Sequence, residues 1–272
     1  MDSDLTKTLR QYTSARVGLN RAGFSLAIGE VLNFQLAHAR ARDAVHATLD
    51  VQSLVAGLRE RRLPFCVLRT AALDRATYLR HPDLGRTLSS ESAAQLTSAP
   101  SDLVFVIADG LSAVAVGRHA LPLLDEVLPT VIANKWSVGP ICIVEQGRVA
   151  VADAIGAALQ AKISVVLIGE RPGLSSPDSL GAYITWAPHR RRTDAERNCI
   201  SNVRPEGLGY AAAARMLAFY LRESLRRKLS GIALKLSADF EKGPISNQLP
   251  DPKPGEIGNY RECNNAPKKG RA

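Results

Sequence analysis

The amino-acid sequence predicts an α/β fold in which a helical N-terminal region precedes a doubly wound sheet. Two observations carry this expectation. Residues 30–50 hold an apolar stripe at helical spacing, whereas Asp102–Ala108, Ile141–Val144 and Ser164–Ile168 are near-continuous apolar runs with helical segments between them. Continuous apolar runs suit strands covered on both faces of a parallel sheet, and strands alternating with helices imply a doubly wound architecture.

The elements follow in order. A first helix is expected over Glu30–Asp50, where Phe34, Ala37, Ala41, Val45 and Leu49 recur three or four apart. Arg40, Arg42 and Asp43 lie off that stripe and face water or a partner. A second helix covers Val51–Arg62, and Leu63–Leu68 reads as a short strand or an extended link. The run Asp102–Ala108 ends in Asp109-Gly110; a helix follows over Leu111–Leu124, its end limited by Pro122. Ile141–Val144 is a second strand, Val151–Ala161 a helix, Ser164–Ile168 a third strand and Tyr210–Leu229 a last helix. The expected divisions are a helical region over 1–75, a sheet domain over 76–236 and a tail over 237–272. The tail, Ser237–Ala272, carries five of the fifteen prolines and no apolar periodicity, so it is expected to be disordered.

Composition narrows the function. The 272 residues are 46% hydrophobic, enough for a core, and carry a formal charge of +9. A basic body can attract nucleic acid, a phosphate-bearing ligand or an acidic partner; without a motif, an ordinary solvated basic surface is the preferred reading. Aromatics are only 5% and no RNA-binding or zinc-finger pattern occurs, which argues against nucleic-acid recognition. The four cysteines, Cys66, Cys142, Cys199 and Cys263, form no CxxC pair, so neither a structural zinc site nor a secreted disulfide scaffold is expected. The N-terminus has no apolar signal core and no apolar run is long enough to span a membrane. An intracellular, soluble protein is expected.

Most catalytic motifs are absent: GxGxxG, GxxxxGK[ST] and GxSxG do not occur. Ligands of doubly wound sheets bind beyond the carboxyl ends of the strands. That topology alone places Asp109, Glu145–Arg148 and Glu170 on the binding edge. Asp109-Gly110 is either chemical or a turn glycine beside a helix-capping aspartate. Three loops, 145–149, 169–179 and 194–202, mix charge with small residues and are either functional or simple surface turns.

Those loops carry a resemblance. TSARVGLNRAG (Thr13–Gly23), FQLAHARARDAVH (Phe34–His46), DRATYLRHPDLGRTL (Asp74–Leu88), VIADGLSAVAV (Val106–Val116), EQGRVAVADAIG (Glu145–Gly156), GERPGLSSPDSLGAY (Gly169–Tyr183) and ERNCISNVRPEGL (Glu196–Leu208) occur in order. The sequence resembles the small (light) subunits of ethanolamine ammonia-lyase from about Thr13 to Lys235. The resemblance implies a helical N-terminal region followed by a Rossmann-like α/β domain. It implies a lyase converting ethanolamine to acetaldehyde and ammonia, active only with a large TIM-barrel subunit that binds substrate. It implies adenosylcobalamin at the junction of the subunits, with Val149, Glu170 and Cys199 as this chain's cofactor contacts and no catalytic or metal-ligating residue of its own. Without the resemblance, Cys199 would read as a buried core cysteine. DxHxxG, which supplies a protein histidine to cobalt in other cobalamin proteins, does not occur, so the cofactor is expected to keep its own base on the metal. The implied location is the cytoplasm. Some family members enter a bacterial microcompartment by a longer N-terminal extension, whereas here the ARVGL motif is reached within fourteen residues. The competing readings are an independent Rossmann-like enzyme acting on a nucleotide or phosphate ester, with Asp109 and Glu170 as acid and base, and a nucleic-acid-binding protein.

Overall fold

A computed structural model describes residues 4–13 and 15–236. Helix α1 (Asp4–Tyr12) leads into a small hairpin of β1 (Arg21–Ala22) and β2 (Ser25–Leu26), closed by Gly23 at φ +65°. Helix α2 (Ile28–His46) follows, then α3 (Val51–Glu60), capped by the Asp50 side chain on the Ser53 amide at 3.0 Å. Next come β3 (Phe65–Arg69), α4 (Arg75–Arg80), α5 (Ser90–Gln95), β4 (Ser101–Ala108), α6 (Ala113–Ala133), β5 (Ile141–Glu145), α7 (Val151–Ala158) and β6 (Ala161–Gly169). The chain continues through β7 (Leu180–Trp186), β8 (Arg197–Val203) and α8 (Tyr210–Arg227). The expected tail lies outside the described residues.

The sheet has the order β3-β5-β4-β6-β7-β8. The first four of these strands are parallel, while β7 and β8 return antiparallel to their neighbours. Burial on both faces accounts for the unbroken apolar run of β4. Leu103, Phe105 and Ile107 point to a cluster formed with α3, α6 and α8. Val104, Val106 and Ala108 point to the other face, where Val151, Ala152 and Ile155 of α7 cover them. Helices on both faces of a mostly parallel sheet are the expected doubly wound, Rossmann-like α/β architecture.

One open alternative is resolved and three findings differ from the sequence reading. The segment read as a short strand or an extended link holds strand β3, which pairs with β5. Helix α6 runs through Pro122 and Pro129 to Ala133. A proline inside a helix costs roughly 3 kcal/mol; here Leu123, Leu124, Val127 and Val131, buried against the sheet, hold the helix together. Residues 194–202 are not a loop but a 3-10 turn followed by most of β8. Its first positions, Arg197 and Asn198, are polar and buried, so no apolar alternation marks the strand. Finally, the stripe on α2 does not enter this chain's core along its length: only Ala44 of that helix is buried.

Arg197 is held by a fork to Asp153 of α7, with both N–O distances 2.7 Å, and by Thr185 at 3.0 Å. Asn198 binds the carbonyls of Gly231 and Leu234 at 3.1 and 2.7 Å. These bonds dock the antiparallel edge onto α7 and the segment after α8. Removing one partner of a buried pair strands the other charge, at a cost of about 3–5 kcal/mol, whereas replacing both with apolar groups can be near neutral. Arg197→Met is therefore expected to lower urea stability by about that amount, and Arg197→Met with Asp153→Leu to recover most of it. A single substitution costing under about 1 kcal/mol would show that the pair does not hold this edge.

Candidate functional site

Strands β4, β5 and β6 end at one edge of the sheet. From β4 the chain crosses to β5 on one side; from β6 it turns to β7 on the other. The crevice between the ends of β4 and β6 is thus a topological switch point, where open α/β sheets bind ligands. Glycines make the approach possible. The Leu111 amide donates to the Gly169 carbonyl at 2.9 Å, and a Cβ on Gly110, at φ +57°, would sit 2.2 Å from that same oxygen. An open cavity of about 450 Å³ lies here, its walls including Tyr78, Arg148, Val149, Glu170, Arg171 and Tyr183.

Asp109 forms the support beneath this edge. It is wholly buried. Its Oδ1 accepts the Gly147 amide at 2.8 Å and its Oδ2 the Gln146 amide at 3.0 Å, which pins the β5 loop to the end of β4. Arg75 Nη1 lies 3.4 Å from Oδ2 and donates to the Gly110 carbonyl at 2.8 Å, while Arg75 Nε donates to the Val45 carbonyl at 2.7 Å. One guanidinium thus ties the end of α2 to the sheet. Asp109 does not cap α6; the Ser112 hydroxyl does, accepting the Ala115 amide at 3.3 Å. Tyr78, also buried, donates to the Gly147 carbonyl at 3.1 Å, and the guanidiniums of Arg75 and Arg148 lie 4.8 and 4.2 Å from its ring centroid.

The three sequence-assigned contacts fall close together. Val149 follows β5, half-buried, with its inner side on the α7 face of the core. Glu170 follows β6. Its Oε2 accepts the Ser179 hydroxyl and the Asn202 amide, the latter at 3.1 Å, leaving Oε1 without a hydrogen bond among the described residues. Cys199 stands on β8, in register with Tyr183 on β7. It is exposed, not buried, with Sγ 3.2 Å from the Ser201 hydroxyl. Val149 and Glu170 line the cavity directly, whereas Cys199 adjoins it through the Tyr183 phenol, which burial and then the neighbouring thiol push upward from its ordinary value. The loop bearing Glu170 is fastened to α6. Ser112 Oγ donates to the Pro177 carbonyl at 2.9 Å, and Arg118 pairs with Asp178 at 2.8 Å.

Topology had placed Arg148 on this edge; sequence reasoning missed Tyr78, Arg171 and Tyr183 as cavity walls. Arg171 adjoins an assigned residue and was legible as a neighbour. Tyr183 was not, because β7 carried no expectation of a strand.

Residues 3–235 match the model of the ethanolamine ammonia-lyase light chain (EutC) family. The chain belongs to the ethanolamine ammonia-lyase light chain family. It is 57% identical over 237 residues to the ethanolamine ammonia-lyase small subunit of Azotobacter vinelandii, covering 85% of this chain and 88% of that protein. Small subunits of Pseudomonas aeruginosa and Xanthomonas campestris pv. campestris are 54% and 52% identical, over 86% and 87% of this chain and 88% and 89% of theirs. Ethanolamine ammonia-lyase light chains are one component of a lyase. Among the described residues, no helix is long and apolar enough to cross a membrane.

Burial raises the Asp109 carboxyl from 3.8 to about 6, against the pull of Arg75 and the amides it accepts. The proton is then bound more tightly in the folded chain than in the unfolded one. This group favours folding most below about pH 4 and loses that contribution as the pH rises to about 6. The stability difference between the native chain and Asp109→Asn, measured by urea unfolding, is accordingly expected to grow as the pH falls through that window. A constant difference would mean that the carboxyl titrates at its ordinary value.

Proposed function

We propose that the chain is the small subunit of an adenosylcobalamin-dependent ethanolamine ammonia-lyase and supplies one wall of the cobalamin site at its junction with a large subunit. The observation that carries this reading is the meeting of Val149 and Glu170 in one open cavity at the β4/β6 switch point, with Cys199 adjoining. The residues fit such a group. Glycines at 110 and 169 let the ends of β4 and β6 close on each other where a Cβ would meet backbone, which sets the floor of the cavity. Glu170 Oε1, which accepts no hydrogen bond among the described residues, is suited to the neutral amide donors at a corrin periphery or to a nucleotide hydroxyl. Val149 offers an apolar surface, and Cys199 a small polarisable one. The cavity is too small to enclose a corrinoid, which accords with a site completed by a second chain.

When bound, adenosylcobalamin supplies the radical chemistry that converts ethanolamine to acetaldehyde and ammonia. The role of this chain is to bind and orient the cofactor and to exclude water from one side. Substrate binding belongs to the large subunit in this reading, which assigns no catalytic residue to the small one. The proposed place of action is the cytoplasm, in the open or within a bacterial microcompartment.

The N-terminal arm supports the proposed partner. Phe24 at the hairpin tip is fully exposed, and Ile28, Leu32 and Leu36 of α2 are 79%, 59% and 50% exposed. Large apolar side chains clustered on an exposed segment mark an interaction surface, and stable subunit interfaces are built from such groups. We assign this surface to the large subunit.

Two experiments test the reading. Phe24→Glu with Leu32→Glu is expected to abolish co-purification with the large subunit while changing the stability of the separate chain by less than about 0.5 kcal/mol, as for exposed sites. Intact co-purification would remove the arm from the interface. In the reconstituted complex, Glu170→Ala is expected to raise the apparent cobalamin constant roughly ten- to a hundred-fold, through loss of a charged acceptor. Glu170→Gln should cost less, and saturated turnover should stay within a few fold. A large fall in turnover at unchanged cofactor affinity would contradict the binding role.

A further inference from the structure

The cavity walls carry more positive than negative charge. Arg148 and Arg171 line it, Arg75 packs beneath on Tyr78, and only Glu170 and the buried Asp109 oppose them. Asp109 is already engaged by Arg75 and two amides, and Glu170 by Ser179 and Asn202. Neither Arg148 nor Arg171 has an ion-pair partner among the described residues. The Arg148 guanidinium makes one long hydrogen bond, from Nη2 to the Tyr78 carbonyl at 3.4 Å, and among the described residues neither its buried Nε nor the buried Nη2 of nearby Arg75 has a partner. Buried guanidinium N–H groups left without acceptors cost free energy unless a ligand or partner supplies them. Tyr78 holds the Arg148 plane by stacking, with the guanidinium carbon 4.2 Å from the ring centroid, so the group is oriented before any ligand arrives.

We propose that Arg148 and Arg171 form an anion subsite in this cavity and that the group it takes is a phosphodiester. The inference rests on the reading that the chain contacts adenosylcobalamin, and it deepens that reading. The corrin amides are neutral, whereas the nucleotide arm of the cofactor carries one phosphodiester, and that group is the anion assigned to the two arginines. A planar guanidinium matches the two free oxygens of such a group, and charge-assisted bonds of this kind are roughly twice as strong as neutral ones. The cavity thereby orients the cofactor with its nucleotide arm toward the β4/β6 crevice of the small subunit, and Glu170 beside it takes the neutral donors.

The test compares two corrinoids on the assembled two-subunit complex: hydroxocobalamin, and cobinamide, which lacks the nucleotide arm. Retention of each is read from its own absorbance in equilibrium binding, independently of turnover. Arg148→Gln and Arg171→Ala are each expected to weaken cobalamin binding about ten-fold or more while shifting cobinamide binding less than about two-fold. Arg148→Lys keeps the charge without the fork and is expected to fall between. Phosphorus-31 resonance of bound cobalamin provides a second measurement that does not depend on cobinamide being retained: both substitutions should move the phosphodiester signal relative to the native complex. Arg171 is exposed, so Arg171→Ala is not expected to disturb folding even if an Arg148 variant does. Equal losses for both corrinoids, a phosphorus signal that neither substitution moves, or a loss of subunit assembly in place of corrinoid affinity would overturn the subsite. Failure of the native complex to retain either corrinoid would instead overturn the cofactor reading beneath it.

Discussion

A single buried carboxylate sets the geometry of the ligand edge. Asp109 is withdrawn from water at the end of the central strand, and a charge there is tolerated only if its oxygens are engaged. The amides of Gln146 and Gly147 and the guanidinium of Arg75 do this, so the β5 loop cannot drift from β4 without stranding the charge. The same Arg75 reaches the Val45 carbonyl, which couples the exposed N-terminal helix to the sheet edge. Gly147 in turn takes the Tyr78 hydroxyl, and Tyr78 stacks Arg148. The positions of Val149 and Arg148 in the cavity therefore follow from the engagement of Asp109.

The parallel half of the sheet was legible because physics leaves it little choice. Strands covered on both faces must be apolar throughout, and the runs at β4, β5 and β6 are. The helices with strong apolar spacing, α3 and α8, were equally plain. The antiparallel half was not. Residues of β8 enter the core by pairing, Arg197 with Asp153 and Asn198 with two carbonyls, and buried polar groups satisfied from distant elements leave no periodicity to read. Helix α6 was cut short at Pro122 by a local rule that tertiary packing overrides.

The site was legible in part for the same reason. Topology placed Asp109, the residues after β5 and Glu170 on one edge, and the structure brings Val149 and Glu170 into one cavity there. It gives Asp109 a supporting place below that cavity instead of a place in its wall. Cys199 reads differently in three dimensions: an exposed thiol on β8, not a core cysteine, reached from the cavity through Tyr183. No local pattern could show this, because the Tyr183–Cys199 pairing depends on two strands whose sequences do not announce them. The stripe read on α2 turns out to be its half-buried side, at Ala37, Ala41 and Val45, whereas the exposed Ile28, Leu32 and Leu36 lie on another face that the spacing did not single out.

A division of labour follows. In the proposed reading the chain offers a crevice edge and an apolar arm, linked through the buried Arg75–Asp109 pair, and a second chain would complete the open edge. Hydrogen exchange on the assembled two-subunit complex, with and without cobalamin, tests this most directly. A cofactor wall at the β4/β6 crevice predicts added protection in peptides covering residues 109–112, 146–150, 169–172 and 199–203, with the outer edge around β3 unchanged. Protection elsewhere in the small subunit, or none in these segments at saturating cobalamin, would contradict it.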